Sequence, residues 1–447
     1  MRTLLHFFTA GLVLALAACA NLEPTGPARD KTYAITILHT NDHHGRFWQN
    51  SDGEYGMAAR KTVVDGIRAE VAASGGYSLL LDGGDVNTGV PESDLQDAVP
   101  DFKGMNLLGY DAMAVGNHEF DKSPAVLAMQ RKLATFPMLS ANIYRGGERI
   151  FAPYKLFNLG GVRIAVMGLT TEDTQKLGNP DNMRALEFRS PIQEAAKLVP
   201  ELRAQADVVI AATHMGHYAN GQHGIQAPGD VEMARAVTGL DLVVGGHTQN
   251  PACMKAENVL DSTYVPGTPC QPDRQNGTWI VQAHEWGKYV GRADFQYRNG
   301  AFTLVKYALI PINLKQTAPF AEDPQMLALL QPYQAFGQSK LLVNVGSSDA
   351  RLEGDRSVVR KAPTSLGMLI GQAMMDKTRS DFAVVNAGGI RDSLPAGAIT
   401  YKDILKVQPF GNTLVTLRLT GREVLDYHQL AARMCPGAGG FPHFSRG

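Results

Sequence analysis

Five short apolar runs in this chain each end in a cluster of histidine, aspartate or asparagine, and this repeated pattern constrains the fold more than any bulk property. Tyr33–Leu38 leads into His39-Thr-Asn-Asp42-His-His44, Tyr77–Leu81 into Asp82-Gly-Gly-Asp85, and Ala112–Val115 into Gly116-Asn-His-Glu119. Val208–Ala212 leads into Thr213-His214, and Asp241–Val244 into Gly245-Gly-His247-Thr-Gln249. Runs rich in β-branched residues read as strands, and the stretches between them read as helices. Strands alternating with helices argue a layered α/β domain whose ligands lie at the carboxyl ends of the strands. All five clusters fall on that edge, so positions 42 to 249 are predicted to converge on one site.

Asp42, His44, Asp85, Asn117, His118, Asp121, His214, His247 and Gln249 supply imidazole, carboxylate and amide donors without thiolates. That set suits hard to borderline divalent ions and disfavours a cysteine-rich structural zinc site. One turn can aim both Asp42 and His44 at the same ion. Asp85 follows a Gly-Gly pair that lets backbone come close, and a carboxylate there can bridge two ions. Asn117 offers a neutral amide oxygen, which leaves His118 for chemistry. His39 and His43 read as core or surface histidines, and Glu119 as a helix N-terminal acid.

These motifs, Asn41-Asp-His-His44-Gly, Gly84-Asp85, Gly116-Asn-His-Glu-Phe-Asp121, Thr213-His214 and Gly245-Gly-His-Thr-Gln249, resemble the five motifs of the calcineurin-like metallophosphoesterases. More narrowly, the chain resembles the bacterial periplasmic 5′-nucleotidase/UDP-sugar hydrolase family from about residue 33 to about residue 443, including Asn250-Pro-Ala-Cys253-Met. The resemblance implies a metallophosphoesterase β-sandwich flanked by helices, followed by a smaller α/β substrate domain. It implies two divalent ions of Zn, Mn or Co type, one held by Asp42, His44 and Gln249, the other by Asn117, His214 and His247, with Asp85 bridging. Two such ions activate a bound water for in-line attack on phosphorus. His118, oriented by Asp121, would stabilise the developing charge or protonate the leaving group. The implied substrates are nucleoside 5′-monophosphates, UDP-sugars and related nucleotide pyrophosphates. A catalytically silent nucleotide-binding lipoprotein and a phosphoesterase of another substrate class are the alternatives. The intact His118 and Asp121 argue against the first.

Asp355-Arg356-Ser-Val-Val-Arg360, Asn386-Ala-Gly-Gly389-Ile-Arg391 and Gln408-Pro-Phe410-Gly-Asn412 resemble the nucleotide-binding segments of the family. Guanidinium forks suit phosphate, and an aromatic ring gives a base a stacking face. By that resemblance Arg356, Arg360 and Arg391 contact phosphate or nearby oxygens, Phe410 stacks on the base, and Asn386, Gly389 and Asn412 lie beside it. This set argues against the second alternative. With 42 Lys+Arg against 43 Asp+Glu the net charge is −1, which leaves no basic footprint for nucleic acid. An anionic substrate must then be met locally. Glu322-Asp-Pro324 before Met326, Leu327, Leu329 and Leu330 predicts a proline-started helix. Beyond it, Ser365–Met375 reads as a helix, and Phe382–Val385 and Thr413–Leu419 read as strands. Family members continue past this point, so the substrate domain is expected to be incomplete.

At the other end, Met1-Arg2-Thr3 precedes an apolar run from Leu4 to about Ala18. It is shorter than the roughly 20 residues that span a bilayer and reads as a secretory signal. Leu16-Ala-Ala-Cys19 resembles a lipobox, so Cys19 is expected to carry lipid, giving a monomer in the periplasm or cell envelope whose only membrane contact is that anchor. The resulting division is a signal over 1–19, a tether over 20–31, the metallophosphoesterase domain over 32–320, a connecting helix over 321–340 and the substrate domain over 341–447. Cys253 and Cys270 can close a loop in an oxidising compartment. The family resemblance pairs them, leaving Cys435 as a small filler.

Overall fold

The computed structural model describes residues 26–218, 220, 227–315, 317–433 and 437–446. The signal, Cys19 and Cys435 lie outside the described residues. Along the first part of the chain run β1 (Tyr33–Thr40), β2 (Tyr77–Asp82), β3 (Ala112–Ala114), β4 (Met138–Leu139), β5 (Tyr154–Leu159), β6 (Val162–Thr170), β7 (Val208–His214), β8 (Leu242–Val244), β9 (Asp273–Gln275), β10 (Thr278–Val281), β11 (Tyr289–Arg298) and β12 (Ala301–Pro311). They form two six-stranded mixed sheets, in the orders β12-β11-β1-β2-β3-β4 and β9-β10-β8-β7-β6-β5.

The central strands are apolar on both faces because both faces are covered. Ile35, Ile37, Leu79 and Leu81 of the first sheet meet Ile164, Val166, Val208 and Ile210 of the second in one buried cluster between the sheets. The intervening Leu38, Leu80 and Met113 point the other way, onto Val63, Val64, Phe102 and Met105 of the helices Met57–Ala73 and Val99–Leu108. Val209, Ala211 and Val243 likewise pack on Leu198, Val199 and Leu202 of the helix Pro191–Arg203. The result is a helix–sheet–sheet–helix sandwich. β1 runs parallel to β2 and β7 parallel to both β6 and β8. The carboxyl ends of β1, β2, β3, β7 and β8 therefore reach one rim shared by the two sheets.

The helix Pro324–Leu341 starts where Asp323 accepts from the Met326 amide at 2.8 Å, with Pro324 at its first position, and it buries Met326 and Leu330 against the first sheet's helices. After it come β13 (Asn344–Ser348), β14 (Phe382–Asn386), β15 (Gly397–Thr400) and β16 (Pro442–Arg446), paired antiparallel as β13 with β15 and β14 with β16. The helix Ser365–Thr378 covers the second pair. Val359, Leu366, Val385, Ile390 and Leu394 form a small separate core.

One sequence expectation fails here. Thr413–Leu419 is not a strand. Its alternation is real, but among the described residues no neighbouring strand pairs with it, and Val415 and Leu417 are 76% and 75% exposed. Alternation makes a strand only when a partner satisfies the backbone.

Candidate metal centre and active site

The loops leaving the shared rim hold their side chains at a backbone cost. Asp42, His44, Asp85, His247 and Gln249 all have left-handed φ, from 49° to 79°, a conformation that costs a non-glycine residue about 1–3 kcal/mol. Cross-loop bonds hold it in place. The Asp42 amide donates to Gly84 O at 2.9 Å and the His44 amide to Asp85 O at 3.0 Å. The His247 amide donates to Asp42 Oδ2 at 2.9 Å and the His118 amide to Asp85 Oδ1 at 2.9 Å. Such close approach needs glycine at two points: a Cβ on Gly116 would sit 2.1 Å from Asp85 Oδ1, and one on Gly246 would sit 2.7 Å from Gly83 O.

The histidines are oriented from behind. His44 Nδ1 faces Thr88 O at 2.8 Å and His214 Nδ1 faces Gly83 O at 2.7 Å. With a proton on each Nδ1, both Nε2 lone pairs turn inward, the arrangement of a metal-binding imidazole. His44 Nε2 then lies 3.7 Å from Asp42 Oδ1 and 3.8 Å from Asp85 Oδ2, and His214 Nε2 lies 2.9 Å from Asp85 Oδ2. Two groups result, His44 with Asp85 and His118, and Asp85 with His214 and His247, each with its ligand atoms within 4.8 Å of one another. They share Asp85.

Three atoms at the centre, Asp42 Oδ1, Asn117 Oδ1 and His214 Nε2, are buried without a hydrogen-bond partner. A buried polar atom left so costs about 1–3 kcal/mol, and a cation satisfies all three. The electrostatics agree. Burial alone would raise the Asp85 carboxyl, but His214, His118 and His44 hold it well below the carboxylate range. Burial disfavours a charged His214, yet Asp85 and Asp42 raise its pKa to about 10. Burial, reinforced by His214, drops His247 to about 3 and keeps it a neutral donor. The pocket favours positive charge between these atoms, and its oxygen and nitrogen donors fit two divalent ions.

His118 differs from the others. Its Nδ1 lies 2.6 Å from Asp121 Oδ2, and its Nε2 is 3.9 Å from Asp85 Oδ2. Burial works against its charge, but Asp121 and Asp85 raise its pKa to about 9.

Glu119 departs from its sequence reading. His118–Phe120 is a single 3-10 turn, not a helix whose amino end an acid could serve. The fully buried Glu119 carboxylate instead accepts from the amides of Gly116 at 2.7 Å, Val86 at 2.8 Å, Asp85 at 3.1 Å and Asn87 at 3.3 Å. It ties the loop of Asp85 to the loop of Asn117. Asn41, part of the first motif, and Asp230 have no role that the sequence alone assigns. Asn41 donates to Asp42 Oδ2 at 2.7 Å, and Asp230 accepts from Thr213 Oγ1 at 2.6 Å beside His214. His39 is a core residue stacked on Tyr307, and His43 pairs with Asp101 at 2.8 Å.

The C-terminal part reaches the same rim. Arg356 donates to Gln249 Oε1, while Gln249 Nε2 lies 2.7 Å from His44 Nε2. The Phe410 ring stacks on His118 at 5.6 Å between centroids, and the Arg391 guanidinium lies 5.5 Å from the Phe410 centroid. Burial and the neighbouring Arg356 and Arg391 lower Arg360 to about 9, and burial together with Arg356 lowers Arg391 to about 10. Three guanidiniums short of counter-charge are an anion site in waiting. Asn386 donates to Gly439 O at 3.2 Å, Gly389 O accepts from Gln408 at 3.2 Å, and Asn412 is exposed just past Phe410. Cys253 and Cys270 are joined, with 5.0 Å between Cα atoms, closing the loop that follows Gln249.

A two-sheet sandwich with these donors at its shared rim is a calcineurin-like phosphoesterase, and the description of that family matches residues 35–251. The 5′-nucleotidase C-terminal domain matches residues 344–440. The chain is 58% identical over 437 residues to Protein UshA of Escherichia coli K12, covering 93% of this chain and 80% of that protein. It is 53% identical over 456 residues to a 5′-nucleotidase of Vibrio cholerae, covering 98% and 82%. The crystal structure of a 5′-nucleotidase precursor from Thermus thermophilus superposes with a TM-score of 0.74 at 32% identity, covering 92% of this chain and 81% of that one. The chain belongs to the 5′-nucleotidase family that these relatives represent.

Proposed function

We propose that this protein is a metal-dependent phosphohydrolase that releases phosphate from nucleoside 5′-monophosphates and cleaves the pyrophosphate of UDP-sugars and related nucleotides. The observation that carries the reading is that two candidate ligand groups, His44 with His118 and His214 with His247, share Asp85, with Asp42 Oδ1, Asn117 Oδ1 and His214 Nε2 buried and unpartnered. Asp42, His44 and Gln249 would hold one ion of Zn, Mn or Co type and Asn117, His214 and His247 the other. When bound, such ions supply Lewis-acid polarisation of phosphoryl oxygens.

The chain's own residues do the rest. Asp121 fixes the His118 ring through Nδ1, which leaves Nε2 to pass a proton to the leaving oxygen. Arg356, Arg360 and Arg391 meet phosphate oxygens and replace water around them. Phe410, Asn386, Gly389 and Asn412 form the side that receives the nucleoside.

The division into a 32–320 catalytic domain, a 321–340 connector and a 341–447 substrate domain follows the same reading. Export to the periplasm with anchoring through Cys19 is supported by the apolar run and the Leu16-Ala-Ala-Cys19 segment, and the same reading takes the chain as a monomer. Among the described residues no helix is long and apolar enough to cross a membrane. The test is turnover of AMP, UDP-glucose and bis-p-nitrophenyl phosphate by purified protein with Mn²⁺ or Co²⁺. Hydrolysis of all three supports the reading, and no turnover with two ions bound refutes it.

A further inference from the structure

A cleft lies beside the segment that follows His44. It has a volume of about 420 Å³ and is lined by three separate parts of the chain: the segment after His44, the helix Pro324–Leu341, and residues following Arg391. Its volume lies within the range of small-molecule sites, roughly 300–1,000 Å³. Arg46, in its wall, donates through Nη1 to His44 O at 2.6 Å, so the cleft begins two residues from a candidate ligand. Asp392, also in the lining, follows Arg391, whose guanidinium lies 5.5 Å from the Phe410 centroid. The cleft thus touches the chain two residues after His44 on one part and one residue after Arg391 on the other.

Its lining has a particular chemistry. Gln49, Gln334 and Gln338 are primary amides whose side chains form no hydrogen bond among the described residues, although polar neighbours elsewhere in the molecule are bonded. Trp48, Tyr55 and Trp286 add aromatic surface, and the lining's charges are Arg46, Lys402 and Lys406 against Glu92 and Asp392. Each free amide offers two donors and an acceptor, which is what vicinal hydroxyl groups need. Aromatic rings suit the C–H faces of a pyranose, and the cations suit a phosphate. The carboxylates of Glu92, which pairs with Lys402, and of Asp392 offset two of the three cations in the lining, which disfavours a bare polyanion such as a second nucleotide phosphate chain.

We propose that this cleft is the subsite for the sugar half of a nucleotide-sugar, holding a hexose 1-phosphate group while the reacting phosphorus sits at the centre. The inference rests on the phosphohydrolase reading above. In the reaction, a water oxygen forms a new P–O bond to one phosphorus and the bridging P–O bond breaks. One water proton ends on each product, a nucleoside monophosphate and a hexose 1-phosphate. The nucleoside leaves the centre toward Phe410 and the arginines, and the hexose leaves toward Gln49, Gln334 and Gln338. Nucleoside monophosphates have no sugar on that side and do not use the cleft.

The difference between these substrates supplies the test. The double variant Gln334→Leu/Gln338→Leu changes two residues on an outer helix face and is measured against UDP-glucose and AMP in the same preparation. A fall of tenfold or more in kcat/KM for UDP-glucose, carried by KM, with AMP hydrolysis within twofold of wild type, is expected. An equal change on both substrates, or none on either, overturns the proposal. Gln49→Leu serves as a second, independent wall variant with the same expectation. Glucose 1-phosphate binding, followed by ligand-observed NMR, reads the cleft without turnover. Saturable binding to wild type that both variants weaken supports the subsite, and binding indifferent to both contradicts it. A protein that turns over neither substrate but still binds glucose 1-phosphate through these glutamines would refute the hydrolase reading while leaving the cleft assignment standing.

Discussion

Phe410 and His118, 292 positions apart in the sequence, lie with their rings stacked at 5.6 Å and 14° between planes. The stack joins the aromatic residue of the C-terminal part to His118, whose Nδ1 faces the carboxylate of Asp121, outside the ligand set. Recognition and chemistry therefore share a contact.

Removing the ring should separate them. Phe410→Ala is expected to raise KM for AMP by roughly tenfold, the scale of about 1–3 kcal/mol for one base–aromatic stack. Turnover of bis-p-nitrophenyl phosphate, which has no base, should change less than threefold. Parallel losses on both substrates would assign Phe410 to support of His118 instead.

His118 itself is expected to act on the proton and not on the ions. His118→Ala should lower kcat by 10²–10⁴-fold, the usual contribution of a general acid or base, while elemental analysis finds the metal content of wild type. Loss of metal would make His118 a ligand in the group with His44 and Asp85.

Glu119 anchors four backbone amides of the two loops that carry Asp85 and Asn117. Glu119→Gln turns one acceptor oxygen into a donor facing those amides, leaving buried N–H groups unsatisfied at about 1–3 kcal/mol each. The variant should bind metal more weakly, seen by isothermal titration, and melt at a lower temperature. Unchanged metal affinity would show that the carboxylate supports the fold alone.

Stability should depend on pH through Glu194. Tyr144 at 2.6 Å, Lys197 at 2.7 Å and Arg149 at 2.8 Å donate to its carboxylate, which is 2% exposed. Burial raises its pKa, but these donors outweigh burial and lower it from 4.5 to about 2. A depressed carboxyl pKa contributes stability above the unfolded value and loses it as pH falls through the folded one. Glu194→Gln should cost roughly 2–3 kcal/mol at pH 7, with the deficit shrinking between pH 4.5 and 2. A deficit constant across that range would exclude the linkage.

The strand-end clusters were legible because strand, turn and donor lie within a few residues of one another, as in Asp42 and His44 after β1. What was not legible is long-range or conformational. Glu119 finds three of its four amide partners 32 to 34 positions earlier, at Asp85 to Asn87, and a sequence window shows only the short turn in which it sits. The left-handed backbone of Asp42, His44, Asp85, His247 and Gln249 has no compositional signature, since glycine is the residue that normally marks it. Alternation alone could not assign β1 and β7 to different sheets, because both are buried on both faces. At Thr413–Leu419 it suggested a strand that nothing among the described residues pairs.

The most direct test is phosphate release from AMP as chelator-stripped protein is titrated with Mn²⁺. Turnover should be absent without metal and reach its plateau at two equivalents per chain. Turnover that persists without metal, or a protein that binds two equivalents and releases no phosphate, would contradict a dimetal phosphohydrolase.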